Sequence, residues 1–474
     1  MVAARIMKTH SPSRLCLFFA FAVPVLGQEA FIAEGIRVGD VTPASAIVRL
    51  RTSQSPARVP GVYASEPRRG RASLAPTGIP TASLPGAVPG KAARVRLIYS
   101  TRQNLSGARE TPWTQTSPTN DFAAHFSLTH LKPSTTYFYA AQISGRPEKA
   151  AGSFRTAPLP AKPHSVTFAV VTGMMYRDLD HPDGFRIWDS IRAAKPDFAV
   201  FTGDNVYYDN EPPRAVSLDI ARYHWQRMFS LPRFLALAAE VPIYWEKDDH
   251  DTLSDDCWPG QDPDWMRPMT FSQGQQIFLE QAPLAGQTNR SFRWGSLLEI
   301  WLPEGRDFRS PNNAPDGPDK TILGQLQKRW LKESVEKSDA RFRVIISETP
   351  WVGPDRATKG DNYANPAFAA EGAEMRQWAA ALKPANLYIA TGDRHWQYHS
   401  VDPSTGLNEF SCGPASNEHA GGSPGLDPRY HKFHAVQGGF LLVTISPNAG
   451  SPTIAFDFRS PDGRSAYTWS PAVR

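Results

Sequence analysis

Three apolar segments of this 474-residue chain each run straight into a short acidic loop, and that repeated pattern limits the folds open to it. Phe198-Ala199-Val200-Phe201 leads into Thr202-Gly203-Asp204-Asn205-Val206-Tyr207-Tyr208-Asp209. Val241-Pro242-Ile243-Tyr244-Trp245 leads towards Asp248-Asp249-His250-Asp251, with Asp255-Asp256 soon after. Leu387-Tyr388-Ile389-Ala390 leads into Thr391-Gly392-Asp393-Arg394-His395. Short apolar runs without alternation read as strands buried on both faces. Further strands are expected at 166–171 and 342–347, and helical spacing at 184–194, 322–338 and 369–382. This strand-helix-strand rhythm implies an α/β domain over 165–474 with a central, largely buried sheet. In open α/β sheets ligands bind beyond the carboxyl ends of strands, so the acidic tips are placed to meet at one point.

The chain upstream has another texture. Alternating runs such as Ala46-Ile47-Val48-Arg49-Leu50, Val95-Arg96-Leu97-Ile98-Tyr99 and Thr136-Tyr137-Phe138-Tyr139-Ala140 predict half-buried strands, and residues 28–157 read as a β-sandwich of fibronectin or immunoglobulin type. Within it, a Pro/Gly-rich stretch at about 52–91 reads as a long, mobile insertion. Residues 158–164, rich in proline, form the expected linker.

Residues 1–27 read as a signal peptide: Arg5, Lys8 and Arg14 precede an apolar stretch from Leu15 to Leu26. An N-terminal membrane anchor is the alternative, and no later window is apolar enough to span a bilayer. Export implies a secreted or periplasmic protein. Removing three basic residues and no acidic one lowers the net charge from +5 to +2. Arg68, Arg69 and Arg71 lie in a Pro/Gly-rich loop without interleaved aromatics, which points to a solvated loop and no stable nucleic-acid partner. The exported chain keeps Cys257 and Cys412, too few for a disulfide framework but enough for one bridge.

Several carboxylates converging with His and Tyr repel one another unless cations compensate them. Oxygen donors with a His suit iron, manganese, zinc or calcium. Gly203 and Gly392, each before its Asp, would let the backbone turn sharply at the site.

With these motifs in place, the sequence resembles the alkaline phosphatase D, or PhoD-like, metallophosphoesterases. The resemblance runs through Gly35-Ile36-Arg37-Val38-Gly39-Asp40-Val41-Thr42-Pro43, the acidic loops above and Ser347-Glu348-Thr349-Pro350-Trp351. It implies an α/β catalytic domain built as an α+β sandwich, and hydrolysis of phosphate esters, monoester or diester, by a metal-activated water at a two-cation centre. Asp204 would bridge the two cations, and Tyr207 and His395 would hold iron. Asp248, Asp255 and Asp393 would hold calcium or another divalent cation. Two positions depart from the family pattern. Thr172-Gly173 stands where a Ser-Cys with an iron-binding thiolate is usual, and Asp255 stands where an Asn is usual.

Arg394 and His250 are the candidate catalytic groups, contacting phosphate, assisting the leaving group or orienting ligands. Trp396 and His399 are candidate pocket walls, and Glu409, Asn417, Glu418 and His419 a candidate substrate-side loop. The rival reading is a secreted binding protein that keeps the fold and has lost turnover.

Overall fold

The structure, a computed structural model, describes residues 29–63, 71–448 and 451–472. The expected signal peptide, Arg68 and Arg69 lie outside the described residues, whereas Arg71 packs over the Trp265 ring, 4.4 Å from its centroid. The upstream strands are β1 (Ile36–Gly39), β2 (Ala46–Arg51), β3 (Arg94–Ser100), β4 (Arg109–Glu110), β5 (Thr114–Gln115), β6 (Ala123–Leu128), β7 (Thr136–Ile143) and β8 (Arg146–Arg155). They form two antiparallel sheets, β1-β2-β6 and β4-β3-β7-β8, with β5 also paired to β3. Alternation does this work. Along β7 Tyr137, Tyr139, Ala141 and Ile143 are buried while the residues between them are not.

Within the described part of the Pro/Gly-rich stretch, residues 73–83 are mostly exposed and the segment after them packs against α2. Leu84, Ala87 and Val88 are buried, Val88 N donates to Gln226 Oε1 at 3.1 Å, and Tyr223 Oη donates to Pro85 O at 2.7 Å. Its composition hides this, because proline and alanine bury apolar surface without a periodic signature.

After residues 156–165, which carry no helix or strand, come β9 (Val166–Val171), α1 (Ile187–Ala194), β10 (Phe198–Thr202), α2 (Leu218–Phe229), α3 (Pro232–Ala238) and β11 (Ile243–Glu246). Next are α4 (Phe271–Gln281), β12 (Arg290–Trp294), β13 (Leu298–Leu302), α5 (Gln325–Lys337), β14 (Phe342–Ser347), α6 (Ala369–Ala381) and β15 (Leu387–Thr391). The chain ends with β16 (Gln397–Val401), β17 (Asn408–Cys412), β18 (His431–Ala435), β19 (Phe440–Ser446), β20 (Thr453–Arg459) and β21 (Ser465–Trp469).

Two packed sheets result, the sandwich that the family resemblance implies, where the strand-helix rhythm alone pointed to one central sheet. The first has the order β11-β10-β9-β19-β20-β21 and the second β12-β13-β14-β15-β17-β16-β18. Their inner faces pack on each other: Phe198 meets Trp294 at 4.8 Å between ring centroids, and Phe410 stacks on Phe456 at 3.9 Å. The outer face of the first sheet is covered by α1 to α4, with Trp188 stacked on Phe201 at 5.3 Å. Leu331 and Val335 of α5 and Met375 and Ala379 of α6 cover the outer face of the second, against Ile345 and Ile389. A strand buried by a helix on one side and a sheet on the other reads the same as one buried by two helices.

Parallel pairing sets the position of the site. β9, β10 and β11 run parallel, as do β13, β14, β15 and β17. A bridge between Thr172 and Pro414 joins the end of β9 to the end of β17, so the carboxyl tips of both sheets meet along one edge.

Candidate metal centre

The backbone leaves β10 and β15 by tight turns. Gly203 has φ +91° and Asp204 itself is left-handed at φ 53°, and Asp393 takes φ 59° after Gly392. Aspartate tolerates this region better than most residues, at a cost of about 1–2 kcal/mol. A Cβ on Gly203 would lie 2.5 Å from Asp248 Cβ, and one on Gly392 would lie 2.4 Å from Thr202 Oγ1. Both glycines are therefore needed for close approach, and the turn beside Gly392 is made by Asp393.

Four side chains meet in an inner cluster. Tyr207 Oη donates to Asp204 Oδ2 at 2.8 Å and lies 3.3 Å from His395 Nε2 and 2.9 Å from His419 Nε2. The two Nε2 atoms are 3.2 Å apart, and His395 Nε2 is 3.7 Å from Asp204 Oδ2. Burial and its neighbours Asp249 and Asp251 push the Asp204 carboxyl well above the usual range. Burial, reinforced by Asp204, raises the Tyr207 phenol, and burial with His419 and His250 nearby lowers the His395 imidazole.

An outer group of acids surrounds it. Asp249, Asp255 and Asp393 line a cavity of about 330 Å³ together with Asp204, His250, Lys359, Arg356, Arg394, His395, Trp396 and His419. One oxygen each from Asp249, Asp255 and Asp256, and one atom each from Asp204, Asp249 and His250, fall within 4.8 Å of one another. Burial pushes the Asp393 carboxyl up to about 6 against the pull of Arg394. Asp248 sits behind this wall, fully buried, with Oδ1 paired to Arg306.

Among the described residues Asp204 Oδ1 and Asp248 Oδ2 are buried without a hydrogen-bond partner. Unpaired buried carboxylate oxygens are costly, and a cation removes that cost. The donor set of carboxylates, a phenol and imidazoles fits iron, manganese, zinc or calcium.

The structure brings Asp204, Tyr207 and His395 together, with Asp255 and Asp393 at the cavity. Asp248 does not line the cavity, and its neighbour Asp249 does. His250 stacks on Tyr207 with ring centroids 4.4 Å apart, and its Nδ1 meets Asp209 Oδ1 at 2.7 Å. Burial alone would lower the His250 imidazole, but Asp209, Asp249 and Asp204 hold it well above its ordinary value. Arg394 Nη1 donates to Asp355 Oδ2 at 2.7 Å and Asp393 Oδ2 at 2.6 Å, while Nε and Nη2 are buried without a hydrogen-bond partner.

Trp396 is a pocket wall, as expected, and His399 is not. It lies in the inter-sheet core between Asn408 Oδ1 at 2.9 Å and Tyr467 Oη at 3.1 Å. Glu409 accepts from Val352 N at 3.0 Å, Gly353 N at 2.7 Å and Tyr398 Oη at 2.8 Å, a structural role away from the cavity. Asn417 Oδ1 accepts from Gly438 N, and only His419 of that loop joins the inner cluster. Cys257 and Cys412 are buried, free thiols that do not pair with each other, and burial pushes Cys257 up to about 12.

Asp249, His419, Lys359 and Arg356 were not identified from the sequence as site residues of this kind. The signal was present: the loop that follows β14 carries Asp355-Arg356-Ala357-Thr358-Lys359-Gly360-Asp361, a further charged segment beyond the carboxyl end of a strand.

Comparison with known proteins bears on this geometry directly. Residues 168–442 match the PhoD-like phosphatase family, and residues 24–158 match the PhoD-like phosphatase N-terminal domain. A solved structure of PhoD is similar with a TM-score of 0.70 and 16% identity, over 93% of this chain and 89% of that one. The purple acid phosphatase PPD1 from yellow lupin (Lupinus luteus) seeds is similar with a TM-score of 0.61 and 11% identity, over 92% of this chain and 73% of that one. At these identities the likeness to both is one of fold. No curated protein matches the sequence. The first family match spans more than half the chain and contains the strand tips that build the centre, and the protein therefore belongs to the PhoD-like phosphatase family.

Proposed function

We propose that this metal-dependent phosphoesterase acts outside the cytoplasm, hydrolysing phosphate mono- or diesters at a centre of two cations. The observation that carries the reading is the convergence of Asp204, Asp249, Asp393 and His395, from the tips of three strands in two different sheets, on one cavity. Asp204, Tyr207 and His395 would hold the inner cation, iron by family resemblance. Asp204, Asp248 or Asp249, Asp255 and Asp393 would hold the outer one, calcium or another divalent ion. Bound cations lower the pKa of a water and offset charge on the attacking and leaving oxygens.

The protein's own groups supply the rest. Arg394 fixes Asp393 in place through Nη1. His250, held by Asp209, faces the cavity and would donate a proton or hydrogen bond to a phosphate or leaving-group oxygen. Lys359 and Arg356, on the same wall, draw the anionic ester in.

Phosphatase and phosphodiesterase assays of the purified chain, with and without chelator, test this. Asp204→Asn and Asp393→Asn should each lower kcat by at least about 100-fold, a loss of the size that removal of an electrostatic stabiliser brings. Equal turnover in both variants would sink the hydrolytic reading.

A further inference from the structure

We infer that His419 Nε2 is a direct ligand of the inner cation, joining Asp204, Tyr207 and His395, so that two imidazoles build that position. The inference rests on the two-cation reading above and goes beyond it in assigning this residue.

The geometry of the four donor atoms carries the argument. Tyr207 Oη, His395 Nε2, His419 Nε2 and Asp204 Oδ2 are separated by 2.8 to 3.7 Å along the measured edges. Metal bonds of about 2.0–2.1 Å put adjacent ligand atoms about 2.9–3.4 Å apart in tetrahedral or octahedral arrangements. The spacing is that of a ligand shell. A cation at its centre would use the lone pairs of all four atoms at once, whereas the single phenol proton serves one acceptor.

His419 is also built as a ligand. Its Nδ1 meets Asp178 Oδ2 at 2.6 Å, and a carboxylate there keeps the proton on Nδ1 and leaves the Nε2 lone pair facing Tyr207 and His395. A carboxylate behind the imidazole is the usual support of a metal-binding histidine. The loop is pinned: Ser416 Oγ donates to Asp178 O at 2.7 Å, and Ala415 N donates to Gly173 O at 3.2 Å. Gly173 completes the fit. A Cβ built there would lie 3.3 Å from His419 Cδ2, so the missing side chain at 173 leaves the space that the imidazole fills.

The test is titration of the metal-free full chain with Fe(III), read without turnover. Bound iron per chain gives affinity, and visible absorption from phenolate-to-iron charge transfer reports Tyr207. Iron-edge X-ray absorption counts coordinated imidazoles. The wild type should show two imidazoles. His419→Ala should keep the coloured Tyr207 iron, show one imidazole and bind at least ten-fold more weakly. Asp178→Asn should keep both rings and weaken binding about ten-fold.

One imidazole in the wild type, with His419→Ala binding equally, overturns the assignment and leaves the metal centre standing. Equally weak, colourless binding in wild type and Asp204→Asn overturns the centre and the assignment together. The wild-type ring count decides the matter even where a variant fails to fold, and His419→Gln preserves bulk where alanine does not.

Discussion

Lys359 lies in the loop between β14 and α6, with Nζ 3.2 Å from Asp255 Oδ1 and paired to Asp256. Burial would lower its ammonium, but Asp361, Asp256 and Asp255 outweigh that and hold it well above its ordinary value. It is charged at any working pH and its side chain reaches the cavity. Lys359→Ala should raise KM for a phosphate ester about ten- to a hundred-fold, the worth of one charge-assisted contact, with kcat less affected. An unchanged KM would remove Lys359 from the substrate wall. At this scale the legibility of the sequence was uneven. Asp204 and Asp393 were readable because each follows a glycine at the end of an apolar strand. Asp248 and Asp249 were not separable, because adjacent residues leave a loop in opposite directions and only packing against Arg306 chose which one turned inward.

The elements β1, β2 and α4 are joined by a buried network that the alternation of β2 conceals. Glu34 Oε2 lies 3.1 Å from Arg49 and 3.3 Å from Arg37, and Oε1 lies 3.0 Å from Arg51. Arg37 Nη1 and Arg49 Nη2 continue to Gln281 O at 2.9 Å and Gln281 Oε1 at 2.6 Å, tying the upstream sheet to α4. Burial raises the Glu34 carboxyl, but Arg51, Arg49 and Arg37 together hold it below the ordinary value. A carboxyl lowered on folding adds stability that is fully present above its unfolded pKa of about 4.3 and is lost as pH falls through the folded value. Glu34→Gln should therefore cost about 3–5 kcal/mol at pH 7, the range for breaking a buried ion pair. The gap to wild type, followed by thermal melts, should narrow as the pH falls below the unfolded pKa. A gap independent of pH would show that packing alone was lost. Helix α2 was equally hard to see in the sequence, since Tyr223, His224, Trp225, Gln226 and Arg227 are all buried and no polar face marks the period.

Across the whole molecule, the site exists only where two sheets share an edge. Cations held there would bind the folded chain and not the unfolded one, so occupancy should add about 2.7 kcal/mol of stability at a free concentration one hundred times the dissociation constant. Chelation should lower Tm accordingly, and the effect should vanish in Asp204→Asn. A chelator-insensitive Tm in the wild type would mean that no cation is held by the fold. No helix among the described residues is long and apolar enough to cross a membrane. Apolar runs and their acidic ends were local properties, so the order of residues alone determined the strands, the carboxyl tips and the kind of chemistry they suit. Which sheet each strand joined, that His419 reached Tyr207, and that His399 and Glu409 turned away were decided by packing between segments distant in sequence. Contacts of that kind depend on which faces meet, and a one-dimensional pattern of apolar and polar residues carries no record of the partner.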